Sequence, residues 1–167
     1  MMLPESPNSL IVTVGLPRSG KSTWCKKTRH QLRCPIVCPD AVRLAVTGQR
    51  FVREAEPTVW MIVQYMIRAL FEAGHPCVIL DATNTTQARR KLWLDEARLG
   101  NYNGDTAIHF VVFETDAEEC KRRAIADGME DLVPIIDAMA AGFEPLDSIE
   151  EPNMSVKDAA AGLMGLI

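Results

Sequence analysis

Short runs of apolar residues alternate along the chain with longer segments in which apolar residues recur every three or four positions. The runs have strand length and are apolar throughout, as expected of parallel strands buried on both faces. The longer segments have the spacing of amphipathic helices. The predicted strands are 10–14, 35–38, 77–81 and 107–113, and the predicted helices are 23–32, 41–46, 57–73, 86–99 and 117–126.

This alternation of single strands with helices predicts right-handed crossovers and a parallel sheet. We therefore expect an α/β fold of three layers, in which helices flank four or five parallel strands, as one domain over residues 1–167. A helical lid is expected at about 121–134. The sequence Ser-Val-Lys-Asp from Ser155 is typical of a capping box and predicts a helical tail at about 154–167, packed on the sheet or forming a dimer seam.

The first predicted strand runs into G-x-x-x-x-G-K-S, and a helix without breakers follows it. Strand, glycine loop and helix in this order predict a phosphate-binding loop, and with it a P-loop NTPase fold. Backbone N–H groups and the positive helix end would hold phosphate, Lys21 would reach the β- and γ-oxygens, and Ser22 would bind Mg²⁺. Arg18 either contacts phosphate or points to solvent. The residues expected to bind nucleotide here are Gly15, Leu16, Pro17, Arg18, Ser19, Gly20, Lys21, Ser22 and Thr23.

Composition narrows the class of protein. Hydrophobic residues make up 47% of the chain, enough for a core, and no apolar segment is long enough to span a bilayer. We expect a cytoplasmic protein without a membrane partner, as a monomer or weak dimer. The odd cysteine count and the lack of a C-x-x-C pair indicate neither a disulfide framework nor a zinc site. The cysteines are Cys25, Cys34, Cys38, Cys77 and Cys120.

The net charge of −4 conceals an asymmetry. Residues 1–53 contain nine lysines and arginines against two acids, whereas residues 54–167 contain nine against twenty. The basic segment is the one that carries the phosphate loop, which suits a polyanionic ligand, although ordinary surface charge explains it equally well.

Two aspartates follow strands that should end beside the loop. Asp40 follows the second predicted strand, and we select it as the base that accepts a hydroxyl proton, with Arg43 three residues on to orient it or to hold the acceptor. The alternative is that Asp40 only caps the next helix. Asp81 ends the third strand and would bind Mg²⁺ together with Ser22, while Thr83 and Asn84 would line the acceptor side of the crevice.

Three motifs together resemble the kinase domain of polynucleotide 5′-hydroxyl kinases and their relatives, and zeta-toxin-like kinases share this fold. The motifs are GLPRSGKST in the loop, D-x-x-R at Asp40 and Arg43, and LDATNTTQARR at 80–90. The similarity extends over about residues 10–145. It implies ATP and Mg²⁺ as cofactors, Lys21 and the following serine as their ligands, Asp40 as general base, and Arg43 as support for the acceptor.

The chain departs from this family in the lid. Relatives typically have E-C-x-x-R-N-x-x-R-G, whose arginines fold over the β- and γ-phosphates. Here Arg123 is retained and Arg122 lies beside it, so both are expected to contact nucleotide. Ala124 replaces the asparagine and Asp127 replaces the second arginine. An acid at this position would repel phosphate, so the lid should close differently, bind nucleotide weakly or serve another acceptor.

The sequence therefore predicts an ATP-dependent kinase with catalytic residues Asp40, Arg43, Lys21 and Arg123. The acceptor is most simply the 5′-hydroxyl of DNA or RNA, with a nucleoside, sugar or other metabolite as the alternative within the same fold. A nucleotide switch or ATPase without an acceptor is the other class, but it needs no base opposite the loop. The basic groups expected to bind a nucleic-acid backbone are Arg43, Arg50, Arg53, Arg89 and Arg90.

Overall fold

A computed structural model describes residues 8–102, 105–146 and 153–155. They form one parallel sheet of five strands with helices on both faces, which confirms the predicted α/β architecture. Two short 3₁₀ segments, Arg53–Ala55 and Glu130–Leu132, precede helices. The strands are β1 Asn8–Val14, β2 Ile36–Val37, β3 Cys77–Leu80, β4 Thr106–Val112 and β5 Asn153–Ser155; the helices are α1 Lys21–Leu32, α2 Pro39–Thr47, α3 Glu56–Glu72, α4 Gln87–Arg98, α5 Ala117–Ala126 and α6 Val133–Ala141.

The sheet has the order β2-β3-β1-β4-β5, so β1 lies between β3 and β4. In this register Val12 of β1 lies beside Leu80 of β3 and Phe110 of β4. The chain leaves β1 toward β2 on one side and later enters β4 on the other. Ligands of such sheets bind where the strand order reverses, at the carboxyl ends of the strands. The loop after β1 lies at this point.

Alternate residues of β1 face opposite layers. Leu10 and Val12 point into the larger core, which α3 and α4 cover, whereas Ile11 packs against α1 through Cys25 and Leu32. All five side chains are at least 95% buried. Because both faces of β1 are covered, the loop that follows it has a rigid base.

The apolar stripe of α3 only partly enters the core. Val59, Val63 and Ile67 are fully buried, as predicted. Met66, which the three- and four-residue spacing also assigned to the core, is 40% exposed. Positions four apart drift slowly around a helix, so the buried line continues to Phe71, and Met66 falls at its margin.

The expectation that the cysteines form no disulfide is wrong for one pair. Cys34, two residues before β2, is bonded to Cys77 at the start of β3. The strands pair side by side and bring the two Cα atoms to 5.2 Å, although 43 residues separate them in sequence. Spacing rules detect local pairs and miss this one because the tertiary structure creates it.

The helical tail predicted at about 154–167 overlaps the described residues only at its start. Residues 153–155 form β5 beside β4, where the helical tail was expected to begin, and residues 156–167 lie outside the described part of the chain.

In the part that the structure describes, no helix combines the length and hydrophobicity needed to cross a membrane.

Candidate functional site

The predicted phosphate loop connects β1 to α1 at the carboxyl edge of the sheet. A β-carbon at Gly15 would lie 2.9 Å from Cβ of Phe113, so the loop passes β4 too closely for a larger residue. The Gly15 amide donates to the Thr83 carbonyl at 2.9 Å, which ties the loop to the end of β3. Gly20 has φ 101° where α1 begins, a conformation that favours glycine.

Lys21 lies inside the loop and is 6% exposed. Its Nζ donates to the Leu16 carbonyl at 2.5 Å and to the Ser19 hydroxyl at 3.2 Å. Burial lowers the pKa of Lys21 to about 8, and the carboxylate of Asp81 opposes this shift. The ammonium is thus the main form at neutral pH, and loop backbone surrounds it.

Asp81 directly follows β3 and is almost completely buried. Burial raises the pKa of Asp81, whereas a hydrogen bond from the Ser22 hydroxyl and the charge of Lys21 act in the opposite direction. The structure therefore brings together the two residues predicted to bind metal. Hydroxyl and carboxylate oxygens are ligands that Mg²⁺ prefers, so this pair fits the ion.

Asp40 is not the N-cap of α2. The helix begins at Pro39 after the N-cap residue Cys38, because proline fits the first helical position with its fixed φ and missing N–H. Asp40 is therefore in the first turn, and its side chain is 81% exposed. Arg43 Nη1 donates to Asp40 Oδ1 at 2.5 Å, as expected for side chains three residues apart on one helix.

Glu56, which the sequence did not single out, fixes Arg43. Arg43 Nε and Nη2 donate to the two Glu56 oxygens at 2.6 and 2.8 Å. Trp60 Nε1 donates to the same carboxylate at 3.1 Å. These hydrogen bonds lower the pKa of Glu56. Such a bidentate pair holds a guanidinium in one plane, leaving its third nitrogen directed at Asp40.

Arg89 of α4 lies on the same cluster. Its guanidinium carbon is 3.8 Å from the centroid of the Trp60 ring, and that of Arg43 is 5.9 Å away. Burial lowers the pKa of Arg89, which is half-buried and makes no ion pair with the described residues. Side chains of helices α2, α3 and α4 thus meet in one cluster, in which two arginines lie beside an aromatic ring and Asp40 is exposed. We call Asp40, Arg43, Glu56, Trp60 and Arg89 the acceptor cluster.

Two residues predicted for the acceptor side have structural roles instead. Arg90 is fully buried, and its guanidinium donates to the carbonyls of Asn84, Glu144 and Pro145 at 3.1, 2.9 and 3.1 Å. Asn84 is 2% exposed, and its side-chain oxygen accepts from Trp93 Nε1 at 3.0 Å. The predictions for Arg90 and Asn84 are wrong because their helical and loop positions turn these side chains into the core.

The lid arginines differ in position. Arg123 Nη1 donates to the Arg18 carbonyl at 3.3 Å and lies 3.9 Å from the point where a Gly20 β-carbon would be, so it reaches the phosphate loop. Arg122 is 69% exposed and donates twice to Glu119, at 2.6 and 2.8 Å. Arg123 also donates to Glu119, at 2.7 Å.

The remaining loop residues divide between the core and the surface. Leu16 is 7% exposed and packs with Cys120, Ala124 and Ile136 in a small core under the lid. Pro17 is half-buried, and Thr23 is exposed on α1. Arg18 does not simply point to solvent, because its guanidinium forms an ion pair with Asp127 of the lid.

A cavity of about 450 Å³ opens beside the loop, between the residues that follow β4 and those at and beyond the end of α6. Most of its lining is apolar. The lining residues include Leu16, Phe113, Thr115, Ala117, Ala140 and Phe143.

Comparison with known proteins assigns a family. The model of one AAA domain family matches residues 10–145, which is most of the chain and includes the loop, both aspartates and the lid. Its fold is that of P-loop kinase-like domains. No curated protein matches the chain.

Solved kinases share this architecture. A gluconokinase from Sinorhizobium meliloti 1021 is 17% identical with a TM-score of 0.65, covering 96% of this chain and 94% of that one. The Mycobacterium tuberculosis APS kinase CysC, solved with AMPPNP and APS, has the same identity and TM-score, with coverage of 96% and 97%. At this identity the likeness concerns the fold alone.

The Pnkp1/Rnl/Hen1 complex contains a more similar sequence. One of its chains is 26% identical with a TM-score of 0.59, covering 74% of this chain. The match includes only 41% of that chain, so the protein spans less than half the length of this relative.

Proposed function

The chain belongs to this AAA domain family, and from that premise we propose that it is an ATP-dependent phosphotransferase acting on a hydroxyl acceptor. The observation that carries the proposal is the arrangement at the carboxyl edge of the sheet. Lys21 lies inside a phosphate loop, and Asp40, held by Arg43, follows β2 at the same edge where Asp81 follows the adjacent strand β3. A nucleotide-binding switch needs no such oriented carboxylate.

Each residue has a distinct role in this reaction. The acceptor hydroxyl oxygen bonds to the γ-phosphorus, the bond from that phosphorus to the β–γ bridging oxygen breaks, and ADP leaves. Asp40 accepts the hydroxyl proton, and Arg43 keeps its carboxylate directed at the acceptor. Lys21 and Arg123 neutralise charge on the transferred group. Ser22 and Asp81 would hold Mg²⁺, which supplies further charge neutralisation on the phosphates.

The cavity beside the loop suits the nucleotide base. It adjoins Leu16 of the loop, and its walls are mostly apolar side chains from the β4–α5 connection and from the residues at and after the end of α6. Nucleotide sites commonly combine an apolar pocket with a few polar groups. We place the base there and the phosphates in the loop.

We further propose that the acceptor is the 5′-hydroxyl of a polynucleotide. Arg89, which makes no ion pair with the described residues, adds positive charge to the acceptor cluster, and its guanidinium lies over the Trp60 ring. Basic and aromatic groups lie together in this way in sites for single-stranded nucleic acid. The similarity to a chain of an RNA repair complex supports this choice. A small-molecule kinase remains the alternative, since gluconokinase has the same fold.

Labelled ATP offered with a panel of 5′-hydroxyl DNA and RNA oligonucleotides, nucleosides and sugars tests both proposals. We expect label on the 5′ end of oligonucleotides in the presence of Mg²⁺. Transfer only to a sugar or nucleoside would replace the acceptor and keep the kinase. Release of phosphate without labelling of any acceptor would favour an ATPase or switch.

A further inference from the structure

Arg18 has an unusual backbone for its residue type. Its φ is 66°, in the left-handed region that favours glycine, and it lies in the middle of the phosphate loop. This conformation is unfavourable for a non-glycine residue and persists where surrounding contacts impose it. The contacts that hold Arg18 therefore indicate why an arginine occupies this position.

Those contacts come from one turn of the lid. The Arg18 guanidinium pairs with the carboxylate of Asp127 and lies 3.9 Å from the sulfur of Met129. The Arg18 carbonyl accepts a hydrogen bond from Arg123. Residues 123 and 127 are four apart and share one face at the end of α5. A single loop residue thus engages a full helical turn, with its carbonyl and its side chain.

This ion pair contributes little to folding stability. The side chains of Arg18 and Asp127 are 29% and 52% exposed, and solvent screening makes pairs of this exposure weak. Arg18 Nε is buried and makes no hydrogen bond to the described residues. The ion pair and the contact with Met129 therefore fix the guanidinium against the lid more than they stabilise the fold.

We propose that Asp127 is a positioning residue that, through its ion pair with Arg18, sets Arg123 over the loop. The inference rests on the proposed function. Arg18 compensates the charge of the acid that was expected to repel nucleotide, so the pair is neutral as a whole. An arginine at position 127 would then face a like charge.

Steady-state kinetics with ATP test this assignment. Asp127→Ala should lower kcat about 10-fold and change the KM for ATP less than about twofold, because orientation is lost while local charge becomes more positive. Asp127→Glu should restore most of the activity. Arg18→Gln should lower kcat to a similar extent, since it removes the group through which Asp127 acts on the position of Arg123.

The double variant and a matched control decide whether the two residues act together. Arg18→Gln with Asp127→Ala should be no worse than Arg18→Gln alone, because the acid acts through the arginine. Asp131→Ala serves as the control, since Asp131 forms an exposed pair with Arg50 in the same part of the lid. It should leave kcat and KM within about twofold.

Several outcomes would overturn the assignment. Additive losses in the double variant, unchanged kinetics in Asp127→Ala, or a higher kcat in Asp127→Ala or Asp127→Arg would each do so. The last result would mean that the acid obstructs closure of the lid.

Amide hydrogen exchange separates this proposal from the proposed function. In the nucleotide-free protein, Asp127→Ala should lower protection across α5, and Asp131→Ala should not. A protein that transfers no phosphate but shows this difference would refute the kinase and keep the contact between Arg18 and the lid. An active enzyme in which Asp127→Ala leaves hydrogen exchange across α5 unchanged would keep the kinase and refute the contact between Arg18 and the lid.

Discussion

The surroundings of Asp40 distinguish between the two roles that its position in the sequence allowed. Its position after a short strand was compatible with a helix cap or a base. The structure gives the cap to Cys38 and directs Arg43 at the Asp40 carboxylate instead. The exposed Asp40 carboxylate is therefore not the N-cap of α2.

Asp40→Asn should therefore separate chemistry from folding. The amide still accepts from Arg43 but cannot take up the hydroxyl proton, so kcat should fall about 10²-fold or more. The melting temperature and the KM for ATP should stay near those of the wild type. A variant that unfolds at lower temperature and keeps its activity per folded molecule would contradict the assignment of Asp40 as base.

Lys21 is expected to make nucleotide affinity depend on pH. Its pKa is lowered to about 8 in the nucleotide-free protein, so the ammonium that binds phosphate is lost as the pH rises through this value. Nucleotide binding requires the charged form, hence affinity should be constant below pH 7 and fall up to about 10-fold per pH unit above pH 8.

Isothermal titration of a nonhydrolysable ATP analogue between pH 6.5 and 9.5 measures this decline. Lys21→Arg keeps its charge throughout that range, so its affinity, whatever its absolute value, should be flat. An equal decline in both proteins would assign the titration to another group. Lys21→Ala should abolish transfer.

At the scale of elements, the acceptor cluster depends on where helices begin. Glu56 and Trp60 lie one turn apart at the start of α3, Arg43 lies on α2, and Arg89 lies in the first turn of α4. Each of these helices follows a strand or loop at the same edge of the sheet. Small changes in packing between α2 and α3 should therefore affect the orientation of the Asp40 carboxylate more than nucleotide binding.

Arg89→Gln tests the acceptor side without touching the loop. It should raise the KM for a 5′-hydroxyl oligonucleotide about 5–20-fold and lower the slope of log KM against log salt by about one, leaving the KM for ATP unchanged. Lys91→Gln is the control, because Lys91 is an exposed residue of the same helix and pairs with Asp95. A small-molecule kinase would show no salt dependence and no response to Arg89→Gln.

At the scale of the whole molecule, the disulfide joins elements far from the carboxyl edge. Cys34 and Cys77 connect the entries to β2 and β3, whose opposite ends carry Asp40 and Asp81. The bond therefore constrains the relative position of two strands that carry candidate site residues. We expect its contribution to lie in stability, since neither sulfur is near the loop.

Reduction of this bond should destabilise the protein. A cross-link closing a loop of this length contributes about 2–4 kcal/mol, which corresponds to a fall in melting temperature of roughly 5–15 °C for a domain of this size. Thermal unfolding with and without reductant measures it. Cys34→Ala should melt at the lower temperature in both conditions, and a wild-type protein insensitive to complete reduction would disprove the contribution.

Much of the molecule followed from local chemistry in the sequence. Runs of β-branched residues, periodic helices and the glycine loop determined the strands, the helices and the phosphate site, because backbone preferences and burial act over a few residues. Asp40 and Arg43 were also found locally, since three residues on one helix place side chains together.

Only the tertiary structure decided which distant side chains meet. Packing between different elements of the fold produces four arrangements that the sequence did not indicate. They are Glu56 on Arg43, Asp127 on Arg18, Cys34 on Cys77, and Arg90 in the core. An acid beside a proline, an acid in a lid or an arginine on a helix has the same local signature whether it faces solvent or a partner. The free energy that selects between these positions comes from burial and charge compensation in the assembled fold, and a linear pattern does not contain it.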